Sequence, residues 1–149
     1  MISRSVNRHP ASGHYGQYML LLFVTQYVTG ISVSGMRLDA NQLSTLCIQL
    51  SSLERLTSLS LSNNTIDLMP QNDDHSAVEA LCSLLSALST LRHLDLSDVC
   101  MTGCLDLILT SISSPQLVRL DISEQWLNAE DLTALQQFQW QTTVAVTFN

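Results

Sequence analysis

Apolar residues recur along this chain in one spacing. It is clearest in Leu56-Thr-Ser-Leu59-Ser-Leu61-Ser-Asn-Asn64-Thr-Ile66. The frame returns in Leu91-Arg-His-Leu94-Asp-Leu96-Ser-Asp-Val99-Cys-Met101 and in Leu117-Val-Arg-Leu120-Asp-Ile122-Ser-Glu-Gln125-Trp-Leu127. A weaker copy is Val28-Thr-Gly-Ile31-Ser-Val33-Ser-Gly-Met36-Arg-Leu38, and Val144-Ala-Val146 begins a partial fifth. The starts at Val28, Leu56, Leu91 and Leu117 lie 28, 35 and 26 residues apart. Successive side chains of a strand point to opposite faces, so the alternating apolar residues share one face. The pattern predicts two inward ladders, Ile31-Leu59-Leu94-Leu120 and Val33-Leu61-Leu96-Ile122.

Each predicted strand leads into a stretch of helical spacing. The apolar positions are Leu43, Leu46, Cys47 and Leu50; then Val78, Leu81, Cys82 and Leu85; then Leu105, Ile108, Leu109 and Ile112; then Leu132 and Leu135. Asp39-Ala-Asn-Gln42 and Ser76-Ala-Val-Glu79 read as capping boxes, and Asn128 with Asp131 as a similar pair. Pro115 is expected to end the third helix. The unit is thus strand, turn, helix. No unit buries its apolar face alone, so the units must stack. The longest unit holds an insertion over about 67–74, rich in turn formers, which predicts a surface loop.

The start of the chain differs. Residues 1–15 show no repeat frame, whereas Leu20, Leu21, Val24 and Val28 read like a helix tail entering the first strand. The expected organisation is an irregular segment over 1–15 and one repeat domain over 16–149. With no strand before it, the helix around Met19–Val24 is expected to expose apolar surface, an edge for self-association or contact with a parent chain.

Hydrophobic residues make up 46% of the chain and charged residues 13%, a composition that argues against a disordered chain. Ser and Thr supply much of the polar remainder, as expected for an uncharged sheet surface. The net charge of −7 repels phosphate, so nucleic acid is not an expected partner. The longest apolar run, Tyr18–Val24, has seven residues, too few for a bilayer span of about 20. The cysteines Cys47, Cys82, Cys100 and Cys104 lack paired metal-ligand spacing and read as buried free thiols of a reducing compartment. A helix start at Cys104 would favour a thiolate and a redox pair with Cys100, but apolar neighbours favour packing. No Gly-rich phosphate loop, nucleophile elbow or zinc-protease motif is present. His93, Asp95 and either Ser60 or Ser97 hold triad residue types on an open sheet, without a cleft to converge in. No cofactor and no metal are expected.

The positions between the inward residues form outward columns. They read Gly30, Ser58, His93, Arg119; Ser32, Ser60, Asp95, Asp121; Ser34, Ser62, Ser97, Ser123; and Gly35, Asn63, Asp98, Glu124. The expected protein-binding residues on this face are Ser60, His93, Asp95, Asp98, Arg119, Asp121 and Glu124. They suit a partner carrying a basic patch.

The L-x-x-L-x-L strand, the capped helix and the repeat near 28 together resemble the ribonuclease-inhibitor-like class of leucine-rich repeats, over roughly residues 16–149. The resemblance implies an α/β solenoid, with four or five short parallel strands on the concave side and helices on the convex side. It implies a non-catalytic, cytoplasmic or nuclear protein-binding module. Roles in the class include enzyme inhibitors, receptor sensor domains and substrate-recognition subunits of cullin-based ubiquitin ligases; a regulatory or structural segment of a larger sensor or inhibitor is the alternative. Leu43-Ser-Thr-Leu-Cys47 carries the L-x-x-x-C core of the elongin-binding box of ligase adaptors, although Ser51 stands where that box prefers an apolar residue. The chain departs from the class at the Asn/Cys position, where Met36, Val99 and Gln125 stand beside one Asn64. An irregular turn ladder follows.

Overall fold

The computed structural model describes residues 27–64, 66–68 and 75–148. Strands and helices alternate in the order β1 (Gly30–Ser32), α1 (Ala40–Leu50), β2 (Ser58–Ser60), α2 (Ser76–Ala87), β3 (His93–Asp95), α3 (Leu105–Ser111), β4 (Arg119–Asp121), α4 (Ala129–Gln141) and β5 (Ala145–Thr147). The five strands form one parallel sheet in chain order. The register aligns Ile31, Leu59, Leu94, Leu120 and Val146 in one row. The rows beside it are Gly30-Ser58-His93-Arg119-Ala145 and Ser32-Ser60-Asp95-Asp121-Thr147.

One core lies between the sheet and the helices. Leu59, Leu94 and Leu120 fill it from the strands, and Leu61, Leu96 and Ile122 from the residues after them. Ile31, Val33 and Val146 are partly buried against the same core. Leu43, Leu46, Cys47 and Leu50 of α1 meet this layer, as do Val78, Leu81, Leu84 and Leu85 of α2 and Leu105, Ile108 and Leu109 of α3. The helices therefore cover one face of the sheet and leave the other open.

Local signals account for most of the helix ends. Asp39 accepts from the Gln42 amide at 2.8 Å, and the Gln42 side chain accepts from the Asp39 amide at 3.0 Å, closing the predicted capping box. Asn128 and Asp131 close the second. The box expected at Ser76 and Glu79 is displaced. Ser76 is already helical, and His75 holds the cap position without a side-chain cap bond. α3 stops at Ser111 and is capped by Ile112, so Pro115 lies three residues beyond the cap, on the way to β4. Leu132 is also displaced from its expected core position: the buried stripe of α4 is Asp131, Ala134 and Leu135, and Leu132 is 43% exposed.

The expected loop over 67–74 begins later than the spacing suggests. Asp67 forms a parallel bridge with Cys100, and Leu68 is buried. Leu68 donates to the Cys100 carbonyl at 2.8 Å, and the Cys100 amide donates to the Ile66 carbonyl at 3.1 Å. Positions 69–74 lie outside the described residues, as do the irregular segment expected over 1–15 and the apolar run expected around Met19–Val24.

The turn ladder is irregular, as the residues at its four positions require. Asn64, 3% exposed, donates to the carbonyls of Val33 and Leu61, each at 2.8 Å, and accepts from the Met36 amide at 2.9 Å. It thus ties the first unit to the second. Gln125 reaches the Leu96 carbonyl at 2.9 Å, while Val99 has no polar atom to offer. Asn64→Ala removes the partner of the Val33 and Leu61 carbonyls and of the Met36 and Leu38 amides, and should cost about 2 kcal/mol in a denaturant titration, at an unchanged slope. A cost near zero would mean that water replaces the amide and that the tie is dispensable.

Candidate functional site: the open face of the sheet

Each strand is only three residues long, and the turn that follows sets what the open face displays. The fourth residue after each core leucine or isoleucine of the strand is left-handed: Gly35 (φ 70°), Asn63 (φ 54°), Asp98 (φ 54°) and Glu124 (φ 61°). Asn and Asp tolerate this region, whereas Glu adopts it at a cost. These turns continue the contact between units. The amides of Gly35, Asn63 and Asp98 donate to the carbonyls of Ser62, Ser97 and Ser123 at 3.0–3.1 Å. Asp98 and Glu124 were expected to form a fourth outward column of the sheet. They stand instead on the turns at its rim, because the chain has already left the strand there.

The remaining expected residues do share the open face. Ser60, Asp95 and Asp121 occupy one row of the register, and His93 and Arg119 occupy the row beside it. Asp95 and Asp121 have the same local environment. Each accepts on Oδ1 from the amide and hydroxyl of the serine two residues on, Ser97 or Ser123, at 3.1 and 2.7 Å. Their Oδ2 atoms differ. Asp95 Oδ2 accepts from the Ser60 hydroxyl at 2.8 Å, and Asp121 Oδ2 from Arg119 Nη2 at 3.2 Å. The first acid is thus held by hydroxyls of its own and the preceding unit, the second by a cation on its own strand.

The serines extend this arrangement. Ser60 and Ser62 oxygens lie 3.0 Å apart, and so do those of Ser62 and Ser34. Ser62 donates to Ser34, and Ser60 donates to the Asp95 carboxylate. A hydroxyl donates only one proton, so Ser60 and Ser62 meet oxygen to oxygen at 3.0 Å with no proton left for their own contact.

Partial desolvation pushes the Asp121 pKa up, but the bonds from Ser123 and Arg119 outweigh it and hold the group below the ordinary carboxylate value. A folded-state value below the unfolded one stabilises the fold above the unfolded pKa of about 3.9, and this contribution disappears as the pH falls through the folded value. Ser123→Ala removes the hydroxyl bond. Its urea midpoint should fall less steeply than that of the wild type between about pH 5 and pH 2; parallel curves would show that Ser123 does not set the shift.

Other candidate chemistry is placed elsewhere. The Ser60 hydroxyl donates directly to Asp95, so the acid does not orient His93 for it. Cys100 is exposed, contrary to its expected packing, and Cys104 is buried. Desolvation, with the Asp131 carboxylate nearby, pushes the Cys104 thiol up to about 12, the opposite of what its position at a helix start suggested. Burial likewise pushes Cys47 to about 12. Leu43 and Cys47, the core of the ligase-box resemblance, are both buried against the sheet. Among the described residues, no group of three or more His, Cys, Asp or Glu is placed to hold a metal ion. No described helix is long and apolar enough to cross a membrane.

The spacing did not reveal how many hydroxyls work away from the open face. Thr57 donates to the Thr29 carbonyl at 2.8 Å, Thr90 to Leu56 at 2.9 Å, Ser113 to Ser86 at 2.8 Å and Ser114 to Leu91 at 2.7 Å. Each bond ties the approach to one strand to the chain around the strand before it. A hydroxyl residue shortly before the strand of each unit is the available signal, but position alone does not fix its partner. No family model matches this chain, and no curated protein matches it.

Proposed function

We propose that the chain is a leucine-rich-repeat module of the ribonuclease-inhibitor-like class, whose open sheet face binds a protein partner without catalysing a reaction. One observation carries this reading: a polar row, Ser32-Ser60-Asp95-Asp121-Thr147, crosses all five strands in register, backed by a continuous apolar layer. A solenoid repeats one strand in each unit, so its sheet presents a long, ordered surface of side chains, the usual binding face of such proteins. A module of the cytoplasm or nucleus is the reading in keeping with that resemblance.

The partner suited to this face is basic and rich in hydrogen-bond donors. Asp95 is held by hydroxyls and an amide with no cation among those bonds. Asp121 already has Arg119 beside it. A partner's lysine or arginine therefore gains most at Asp95. Asp98 and Glu124 on the rim add to the field that steers its approach.

Affinity capture from cell extract with mass spectrometry identifies the partner. Reversing Asp95 and Asp121 to Lys should then abolish its capture while circular dichroism is unchanged. Asp95→Asn, which keeps an acceptor but removes the charge, should weaken capture and reduce its salt dependence. Capture by the folded double variant at wild-type strength would exclude the open face as the site.

A further inference from the structure

Ionisable side chains in the two outer rows of the sheet fall on β3 and β4 alone. β3 presents His93 and Asp95, and β4 presents Arg119 and Asp121 in the same rows; the other three strands present glycine, serine, alanine and threonine there. The two strands thus repeat one arrangement, a basic side chain at the strand entry and a carboxylate two residues on. They settle it differently. On β4 the two groups meet, with Arg119 Nη2 3.2 Å from Asp121 Oδ2. On β3 they do not. Asp95 accepts from Ser97 on one oxygen and from the Ser60 hydroxyl on the other. Asp121 has no such serine in the preceding strand, because the residue beside it in the row is Asp95.

β3 is therefore left with two opposite poles that do not cancel. Arg92 and His93, at its entry, are both exposed, and their side chains make no hydrogen bond or ion pair among the described residues. Asp95 and the exposed rim residue Asp98 form the other pole. Leu94 is buried, so its neighbours His93 and Asp95 point to the same open side, about 7 Å apart along the strand.

We propose that the partner lays an extended segment along β3, with an acidic side chain two residues from a basic one: the acid meets Arg92 and His93, and the base meets Asp95. This inference rests on the reading of the open face as the binding surface and names the chemistry of its occupant. Charge selects that chemistry. A segment of bases alone satisfies Asp95 but sets a cation against Arg92, and a segment of acids alone does the reverse. An arginine can hold a carboxylate through two parallel N–H bonds, and the His93 ring offers a further nitrogen beside it. Spacing selects the form. Residues i and i+2 of an extended chain share one face about 7 Å apart, the separation of the two poles. On the neighbouring strand β2, Ser58 and Ser60 are small and leave room for such a segment.

A displayed library of random linear peptides, panned against the 149-residue chain, tests this. The enriched sequences should share an acid and a base separated by one residue. Arg92→Glu with His93→Glu should weaken a selected peptide by about tenfold or more, with circular dichroism unchanged. Panning on that variant should return sequences in which a second base replaces the acid. If it does not fold, Arg92→Gln with His93→Gln removes the same pole and should weaken the peptide in the same sense. Enrichment of bases without an acid overturns the proposal and leaves the open face as a site for a basic partner. Enrichment of an acid and a base three or four residues apart, the spacing of a helix, does so too. Peptides that bind the folded variant with Asp95→Lys and Asp121→Lys at wild-type strength, or a library from which nothing is enriched, overturn the proposal and count against the open face itself.

Discussion

Asp131→Ala should lower the free energy of unfolding by about 4 kcal/mol, more than any other polar substitution among the described residues. The carboxylate is 2% exposed and serves two helices. For its own helix it closes the capping box, accepting from the Asn128 amide at 3.1 Å. For the preceding unit it accepts from the Gly103 amide at 2.9 and 3.1 Å and from Leu105 at 3.3 Å, where α3 begins. Gly103 reaches this position at φ 80°, a conformation unfavourable for residues with a side chain. Alanine leaves three amides without their acceptor, and the burial of Asp131 limits access of replacement water. Asp131→Asn retains one acceptor oxygen but turns an NH2 group towards donors, so it should recover only part of the loss. Chemical denaturation at neutral pH measures both. A loss below about 1 kcal/mol for alanine would show that water replaces the carboxylate readily.

Leu94→Ala should cost about 3 kcal/mol. Leu94 is 1% exposed at the centre of the inward row, between Leu59 and Leu120. The sheet holds it from both sides and the helices from above, so the cavity left by alanine cannot easily collapse. Leu132→Ala is the matched control: the same atoms are deleted from a side chain 43% exposed, and the change should stay within about 0.5 kcal/mol. Equal costs at the two positions would contradict the division into core and surface described above.

These two cases show what the sequence displays and what it hides. Leu94 was legible because burial on one face of a strand imposes a period of two, and the frame repeats. All five strands and the register of Ile31, Leu59, Leu94 and Leu120 follow from that spacing. Asp131 was legible only as a cap for its own helix. Its bonds to Gly103 and Leu105 cross between units, and spacing within one unit carries no record of the neighbour. The same reason hides the targets of Thr90 and Ser114. Of the expected binding face, Ser60, His93, Asp95, Arg119 and Asp121 fall where alternation puts them. Asp98 and Glu124 stand on the turns instead: they lie four residues after Leu94 and Leu120, a spacing that alternation would turn inward, and the left-handed backbone carries them to the rim. Leu132 was assigned to the core by counting apolar residues, whereas Asp131 takes the buried place beside it.

The gap at Val99 affects how the molecule opens. Asn64 and Gln125 provide side-chain ties between the first and second units and between the third and fourth. At the junction between them, apolar contact, the bridge of Asp67 with Cys100 and the bonds of Thr90 and Ser60 do this work, without a buried amide. Main-chain bonds cross it as well, from Leu61, Asn63 and Leu68 to Asp95, Ser97 and Cys100. Apolar contact weakens on cooling, so the hold between the second and third units should respond to cold more than the two that a buried amide also ties.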